Sequence, residues 1–271
     1  MKRKILRIAA FCAAMALIFG VACFANALVG NPISKAVATK TAKAYVEDHY
    51  AGMGYAIDTV SYSFKDGNYY AHLKTEKSMD GDFTLCIGMT GKLKNDDYGY
   101  RVTRRGNLVS RLYMAYRSRV DEVLESAVYP YTVSIGYGEL EFDYEVGTEP
   151  PANAIEKSQL ENDRFYDVGQ MGKTNGKLVL VIDNRTVDAQ TAGEILLTTK
   201  RLLSEAGVGF YSVDLVLQYP PYKEDAYSRP EGRIRVEDFL SDWICEEGLT
   251  ERILLAHEQT QARNEEADRE K

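Results

Sequence analysis

The chain has 271 residues, 45% of them hydrophobic, 27% charged and 11% aromatic, with Gly 21, Pro 7 and Cys 4. These values exclude a disordered polymer, a collagen-like repeat, a disulfide scaffold and a multi-span membrane protein. Forty acidic residues against 33 basic ones give a formal net charge of −7, and the first thirty residues carry four basic and no acidic side chains. The remainder therefore holds 29 basic residues against 40 acidic. A body of that sign lacks the clustered Lys and Arg that nucleic-acid phosphates and anionic membrane surfaces require, so no nucleic-acid partner is expected.

Lys2-Arg3-Lys4 and Arg7 precede an uncharged stretch that runs from Ile8 to Ser34. Its apolar heart, Ile8 to Val29, would be roughly 33 Å long as a helix. A bilayer core is about 30 Å thick. The positive-inside rule keeps the basic end in the cytoplasm and places everything after Val29 outside. The expectation is a single-pass cell-membrane protein whose N-terminal helix makes the membrane contact. Two other readings stay open. Ala25-Asn26-Ala27 has the small-x-small pattern of a cleavage site, and cleavage near Ala27 would secrete the body, although a signal peptide usually has a shorter apolar core. Cys23 follows Gly20-Val21-Ala22, as an acylated lipoprotein cysteine would, but the Leu usual further upstream is missing. Cys12, Ala16 and Gly20 recur every four residues. Such a small-residue ridge lets spans approach closely, so the chain is read as a monomer or a weak dimer through the span.

Asn31-Pro32 opens a second helix to about Tyr50 by a cap and a first-turn proline. Strands follow from Tyr55 to Phe64 and from Tyr69 to Thr75 around the Asp66-Gly67 turn. Phe83 to Met89 alternates as a half-buried strand, and Tyr98 to Val102 would complete the sheet. Leu108, Leu112, Ala115, Val120, Val123 and Ala127 mark one side of a helix, closing a first α+β domain over residues 31–129.

The second domain, residues 130–257, begins with a hairpin turning at Gly136-Tyr137-Gly138. Its return strand alternates Glu139, Glu141, Asp143 and Glu145 with apolar residues. A short polar helix is expected from Pro150-Pro151 to Asp163. Leu178 to Ile182 is apolar throughout, the pattern of a strand covered on both faces. A helix from Thr186 to Ala206 ends at Gly207. Strands follow at Tyr211 to Tyr219 and around Ile234, Val236 and Phe239, then a helix carrying Leu249, Ile253, Leu254 and His257. Residues 258–271 read as a charged, fraying tail. The fold class is α+β: a transmembrane helix over residues 1–30, then two small domains, each an antiparallel or mixed sheet with helices on one face.

Several short stretches carry a resemblance. Asn31-Pro32-Ile33-Ser34-Lys35 directly after the span and Phe64-Lys65-Asp66-Gly67-Asn68-Tyr69-Tyr70 resemble the YfjL-like family of single-span envelope proteins of Gram-positive bacteria. Asp214-Leu215-Val216-Leu217, Val236-Glu237-Asp238-Phe239 and Glu246-Glu247-Gly248-Leu249 are similar to its C-terminal part. The resemblance covers about Asn31 to His257. It implies an anchored, extracytoplasmic two-domain protein and no activity, so it carries over no catalytic residue.

The chemistry-bearing residues point the same way. Gly172-Lys173-Thr174 would end a phosphate-binding loop, but the glycine required five positions earlier is Asp167. A flexible loop is expected there. His49, His72 and His257 fall in three different elements, without the helical pairing of a zinc site, so neither metal nor cofactor is expected. No G-x-S-x-G elbow occurs. Cys86 and Cys245 lack an adjacent His or a C-x-x-C partner; they are two separate thiols or one disulfide, which needs Cα atoms within about 7 Å. Glu139, Glu141, Asp143 and Glu145 read as a solvated face, with a weak cation- or amine-binding surface as the rival. Nineteen Tyr are present, and Tyr219, Tyr222 and Tyr227 around the proline loop are the candidates for a binding platform of exposed rings. The expected function is a non-enzymatic binding or interaction module at the envelope, with a membrane-protein or cell-wall partner. The alternatives are an envelope hydrolase and a chaperone-like or inhibitory module for a membrane partner.

Overall fold

A computed structural model of the chain describes residues 2–142, 151, 153–222 and 231–269. The chain divides into two compact units, Met1–Leu108 and Val109–Lys271. Helix α1 (Lys2–Val29) carries Phe11, Leu17, Phe19 and Phe24 in the open, each more than 60% exposed. An 18-residue window of it has a mean hydropathy of 2.2 and none of it is buried. Among the described residues, one helix is thus long and apolar enough to cross a bilayer.

Helix α1 ends at Gly30, whose φ of +74° is unstrained only without a Cβ. A Cβ there would stand 2.7 Å from the Tyr62 ring and 2.7 Å from the Tyr69 hydroxyl. The Tyr62 hydroxyl donates to the Ala27 carbonyl at 2.9 Å. The Tyr69 hydroxyl accepts the Asn31 N–H at 2.9 Å and donates to the Asn31 carbonyl at 3.0 Å. Asn31 then caps α2 (Pro32–His49), its side chain taking the Ser34 N–H at 2.7 Å, as the Asn-Pro pair predicts.

The first sheet is an antiparallel meander of β1 (Ala56–Ser63), β2 (Asn68–Lys74), β3 (Phe83–Gly88) and β4 (Leu93–Asp96). Gly67 sits at the first hairpin with φ +69°, as expected. Ala38 and Ala42 of α2 meet Tyr69, Ala71, Leu73, Phe83, Leu85 and Ile87 in its core. Small helix residues let the helix approach the sheet closely. The fourth strand differs from expectation: Leu93–Asp96 is the strand, and Gly99–Thr103 is a π-helical turn. The cause is two aspartates that take backbone donors. Asp96 accepts the Tyr98 N–H at 2.9 Å and Asp97 accepts the Thr84 N–H at 2.5 Å, so the chain turns before Tyr98.

Helix α3 (Gly106–Leu124) begins just before the division between units. The second sheet contains β5 (Thr132–Leu140), β6 (Gly176–Asp183), β7 (Ser212–Gln218) and β8 (Arg233–Leu240), in that order. Strands β6 and β7 are parallel, linked by α5 (Ala189–Glu205); the outer pairs are antiparallel. Helices α4 (Val168–Asn175) and α6 (Leu249–Arg269) complete the unit. Leu178, Leu180, Ile182, Val213, Leu215 and Leu217 are fully buried, each burial stabilising by about 1.5–3 kcal/mol.

Four sequence expectations are corrected in this unit. The Gly136-Tyr137-Gly138 stretch is the middle of one continuous strand, not a hairpin turn. Its glycines make room for α3: a Cβ on Gly138 would stand 2.6 Å from Val120 and 2.7 Å from Tyr116, and one on Gly136 2.9 Å from Leu124. Asp143 and Glu145, placed in the return strand, lie outside the described residues. Strand β6 is covered on one face only, alternating buried and half-buried residues. Between Pro151 and Asp163 the described residues form one 3-10 turn, Lys157–Gln159, not a longer helix. The expected fraying tail continues α6 as far as Arg269, with Thr260 1% exposed.

Helix α5 starts three residues later than Thr186 because Asp188 caps it, accepting the Thr191 N–H at 2.7 Å. Hydrogen bonds from Thr191 hold the Asp188 carboxyl below the usual carboxylate range. A depressed folded pKa stabilises above the unfolded value and is lost as pH falls through the folded one. Asp188→Ala is expected to lower stability by about 1 kcal/mol at neutral pH, with the difference from wild type shrinking on acidification below about pH 4. Denaturant melts of both proteins across that range check it; a difference that grows on acidification contradicts the cap.

Candidate functional site

The best-formed concavity of the second unit lies among α4, α5 and the turn after β8. Helix α4 sets its Gly169 and Gly172 directly on the loop that follows α5. A Cβ on Gly169 would stand 2.2 Å from the Gly207 carbonyl oxygen, and one on Gly172 2.1 Å from that of Gly209. The Gly209 N–H in turn donates to the Gly169 carbonyl at 2.9 Å. Gly207 turns the chain out of α5 with φ +71°, as expected of a helix-ending glycine. Lys173 runs its stem along this loop, since a Cβ on Gly209 would meet its Cγ at 2.3 Å. From α5, the Lys200 ammonium donates to the Ser241 carbonyl at 2.7 Å and the Ile244 carbonyl at 3.0 Å. The cavity, half open to solvent, measures about 290 Å³, with Lys173, Lys200, Gln170, Ser241 and Asp242 in its wall over Phe210. Two lysines and one aspartate thus line it.

The second feature is the face of the sheet that bears no helix. At one end Lys177 on β6 bonds Asp238 at 2.6 Å and Asp214 at 3.1 Å. Burial alone would pull the Lys177 pKa down, but the hydrogen bonds and charges of Asp238 and Asp214 outweigh it and hold the ammonium charged. Asp238 occupies a bulge of β8 with φ +52°, and its N–H donates to Asp214 at 2.8 Å. Burial raises the Glu141 carboxyl nearby, against the pull of Lys177. At the other end Asp183 accepts Ser134 Oγ at 2.5 Å and Gln218 Nε2 at 3.0 Å. Between the ends Val179, Val181 and Val216 are half-buried and Ile135 is 52% exposed. Arg117 lies over the Tyr137 ring at 4.8 Å.

Of the proposed ring platform, Tyr219 is half-buried at the end of β7 and Tyr222 is 58% exposed; Tyr227 lies outside the described residues. His72 is exposed beside Thr84, His49 stacks on Tyr45, and His257 accepts the Arg235 N–H at 3.1 Å. No group of three or more His, Cys, Asp or Glu placed to hold a metal occurs among the described residues. Cys86 and Cys245 are free thiols. Lys173, read from sequence as part of a flexible loop, sits on a packed helix. Lys200, Ser241 and Asp242 went unnoticed in the sequence because no local pattern marks them; only the β6–α5–β7 crossover and the return of β8 along β7 bring residues some forty positions apart to one cavity.

An apolar N-terminal helix followed by two α+β units, a meander and a mixed sheet, defines the class. Residues 2–97 match the family model of the YfjL-like N-terminal domain and residues 115–254 that of the YfjL-like C-terminal domain, and the chain belongs to this family. No curated protein and no solved structure matches it.

Proposed function

We propose that the chain is a single-pass membrane protein whose acidic body works outside the cytoplasmic membrane as a non-enzymatic binding module. The observation that carries this is helix α1: its apolar side chains stand exposed over an entire bilayer-length stretch with none of the window buried. Exposed Phe and Leu in such numbers are unfavourable in water and favourable in hydrocarbon. The four cations at its start set the direction, because Lys and Arg stay on the cytoplasmic side while Asp and Glu contribute little to orientation.

Single cysteines in a cysteine-free background test the arrangement. In intact cells with any wall removed, Lys65→Cys in the β1–β2 turn and Glu246→Cys before α6 should react with a membrane-impermeant maleimide. Both positions are exposed. Lys2→Cys should react only after lysis. The reverse labelling pattern, or release of a body lacking its first thirty residues into the medium, overturns the reading.

A further inference from the structure

The cavity among α4, α5 and the turn after β8 has no part in anchoring, and its chemistry selects a ligand. We propose that it binds a small hydroxy monocarboxylate, the carboxylate seated between Lys173 and Lys200 and a hydroxyl directed at Asp242. This rests on the reading of the body as a binding module and supplies its site and ligand class.

Charge is the first argument. Two lysines and one aspartate line the cavity, in a body that otherwise carries an excess of acid. One negative charge on the ligand balances the lysine–aspartate set; a second would be repelled by Asp242. Donor arithmetic is the next argument. An ammonium has three N–H donors, and Lys200 gives two of them to the Ser241 and Ile244 carbonyls. That fixes the nitrogen and leaves one donor. Lys173 makes no hydrogen bond or ion pair with another described residue, while its stem is placed against Gly209. A carboxylate bridging the two lysines gains charge-assisted bonds, the strong kind.

Size and preformation agree. A volume of about 290 Å³ is on the order of ten waters' share of liquid, which suits glycerate to gluconate. The backbone wall is fixed by the glycine contacts of α4 on the loop after α5, so binding has only the side chains of Lys173, Gln170 and Asp242 to order. Asp242, Ser241 and Gln170 offer the acceptors and donors that hydroxyl groups need.

The test uses the full chain in detergent, with sodium lactate, glycerate and gluconate as probes. Glycerol, sodium malate and sodium chloride at matched ionic strength serve as controls. At a fourfold excess over its Kd, at least one probe should raise the Tm by about 2–4 °C, with no rise from glycerol or chloride. Lys173→Met keeps the stem on Gly209, so it should leave the unliganded melt unchanged and weaken binding at least about tenfold in calorimetry. Asp242→Asn should let malate bind where wild type rejects it. The proposal is overturned if none of the three hydroxy acids shifts the melt, if glycerol does as well as glycerate, or if Lys173→Met binds undiminished. Such a result leaves the maleimide labelling pattern as it was, and reversed labelling leaves this binding as it was, so the two readings fail separately.

Discussion

Gly172→Ala is expected to lose about 3 kcal/mol or more of the second unit's stability, an unusually large effect for one methyl group. The added carbon would lie 2.1 Å from the Gly209 carbonyl oxygen and 2.6 Å from the Tyr116 ring. Neither neighbour can retreat cheaply. Gly209 donates its N–H to Gly169 and receives the buried Tyr116 hydroxyl on its carbonyl at 2.8 Å. Moving the loop breaks both bonds; moving α4 lifts it from the sheet. Trp243, the single tryptophan, packs edge-on against Phe239 at 5.6 Å and reports on this unit by fluorescence during urea unfolding. Wild-type midpoints for Gly172→Ala would show that helix and loop are not held as described.

Asn175→Ala should lose about 2–4 kcal/mol, by a different route. The side chain is 2% exposed. Its amide donates to the Glu141 carbonyl at 2.8 Å and the Ile155 carbonyl at 2.9 Å, and its oxygen accepts the Ile155 N–H at 3.0 Å. One side chain thus stands in for a strand partner and clips two segments to the end of α4. Truncation removes these three bonds at once, together with the one that the same oxygen accepts from the Thr174 hydroxyl at 2.8 Å, and orphaned buried groups cost about 1–3 kcal/mol each before relaxation. Asn175→Asp is no rescue, because a carboxylate can accept from Ile155 but cannot donate to either carbonyl. Hydrogen exchange at the Ile155 amide gives the local readout. It should be protected in wild type and exchange rapidly in Asn175→Ala, and continued protection would sink the account.

What the sequence revealed depended on how local the causes are. Asn31-Pro32, Asp66-Gly67 and Gly207 act through their own backbone and neighbours, so the α2 cap, the first hairpin and the end of α5 were legible. The glycines of β5 were misread because a turn and a close helix approach call for the same residue; only Tyr116, Val120 and Leu124, brought up by α3, distinguish them. The fourth strand was missed because Asp96 and Asp97 intercept backbone donors after it ends. Strand β6 looked fully covered because Val179 and Val181 are apolar, yet they face the helix-free side of a four-stranded sheet. The family was readable from short stretches. Of the cavity, Lys173 alone was noticed, and for its likeness to a phosphate loop rather than for its place.

Only Gly30 and Asn31 separate α1 from α2, and Tyr62 and Tyr69 grip that joint from the sheet. A chain seated in a bilayer through such a joint has no tether to pay out. With the span in a bilayer as proposed, the first unit would ride at headgroup height and turn with the helix, so each rotation of the span would re-aim the sheet above it. Its working radius would be that of the unit itself, with a radius of gyration of about 13 Å for a hundred folded residues. In that arrangement a partner would have to come to the membrane surface, by lateral diffusion in the same leaflet or by settling onto it, because this unit could not reach out and fetch it.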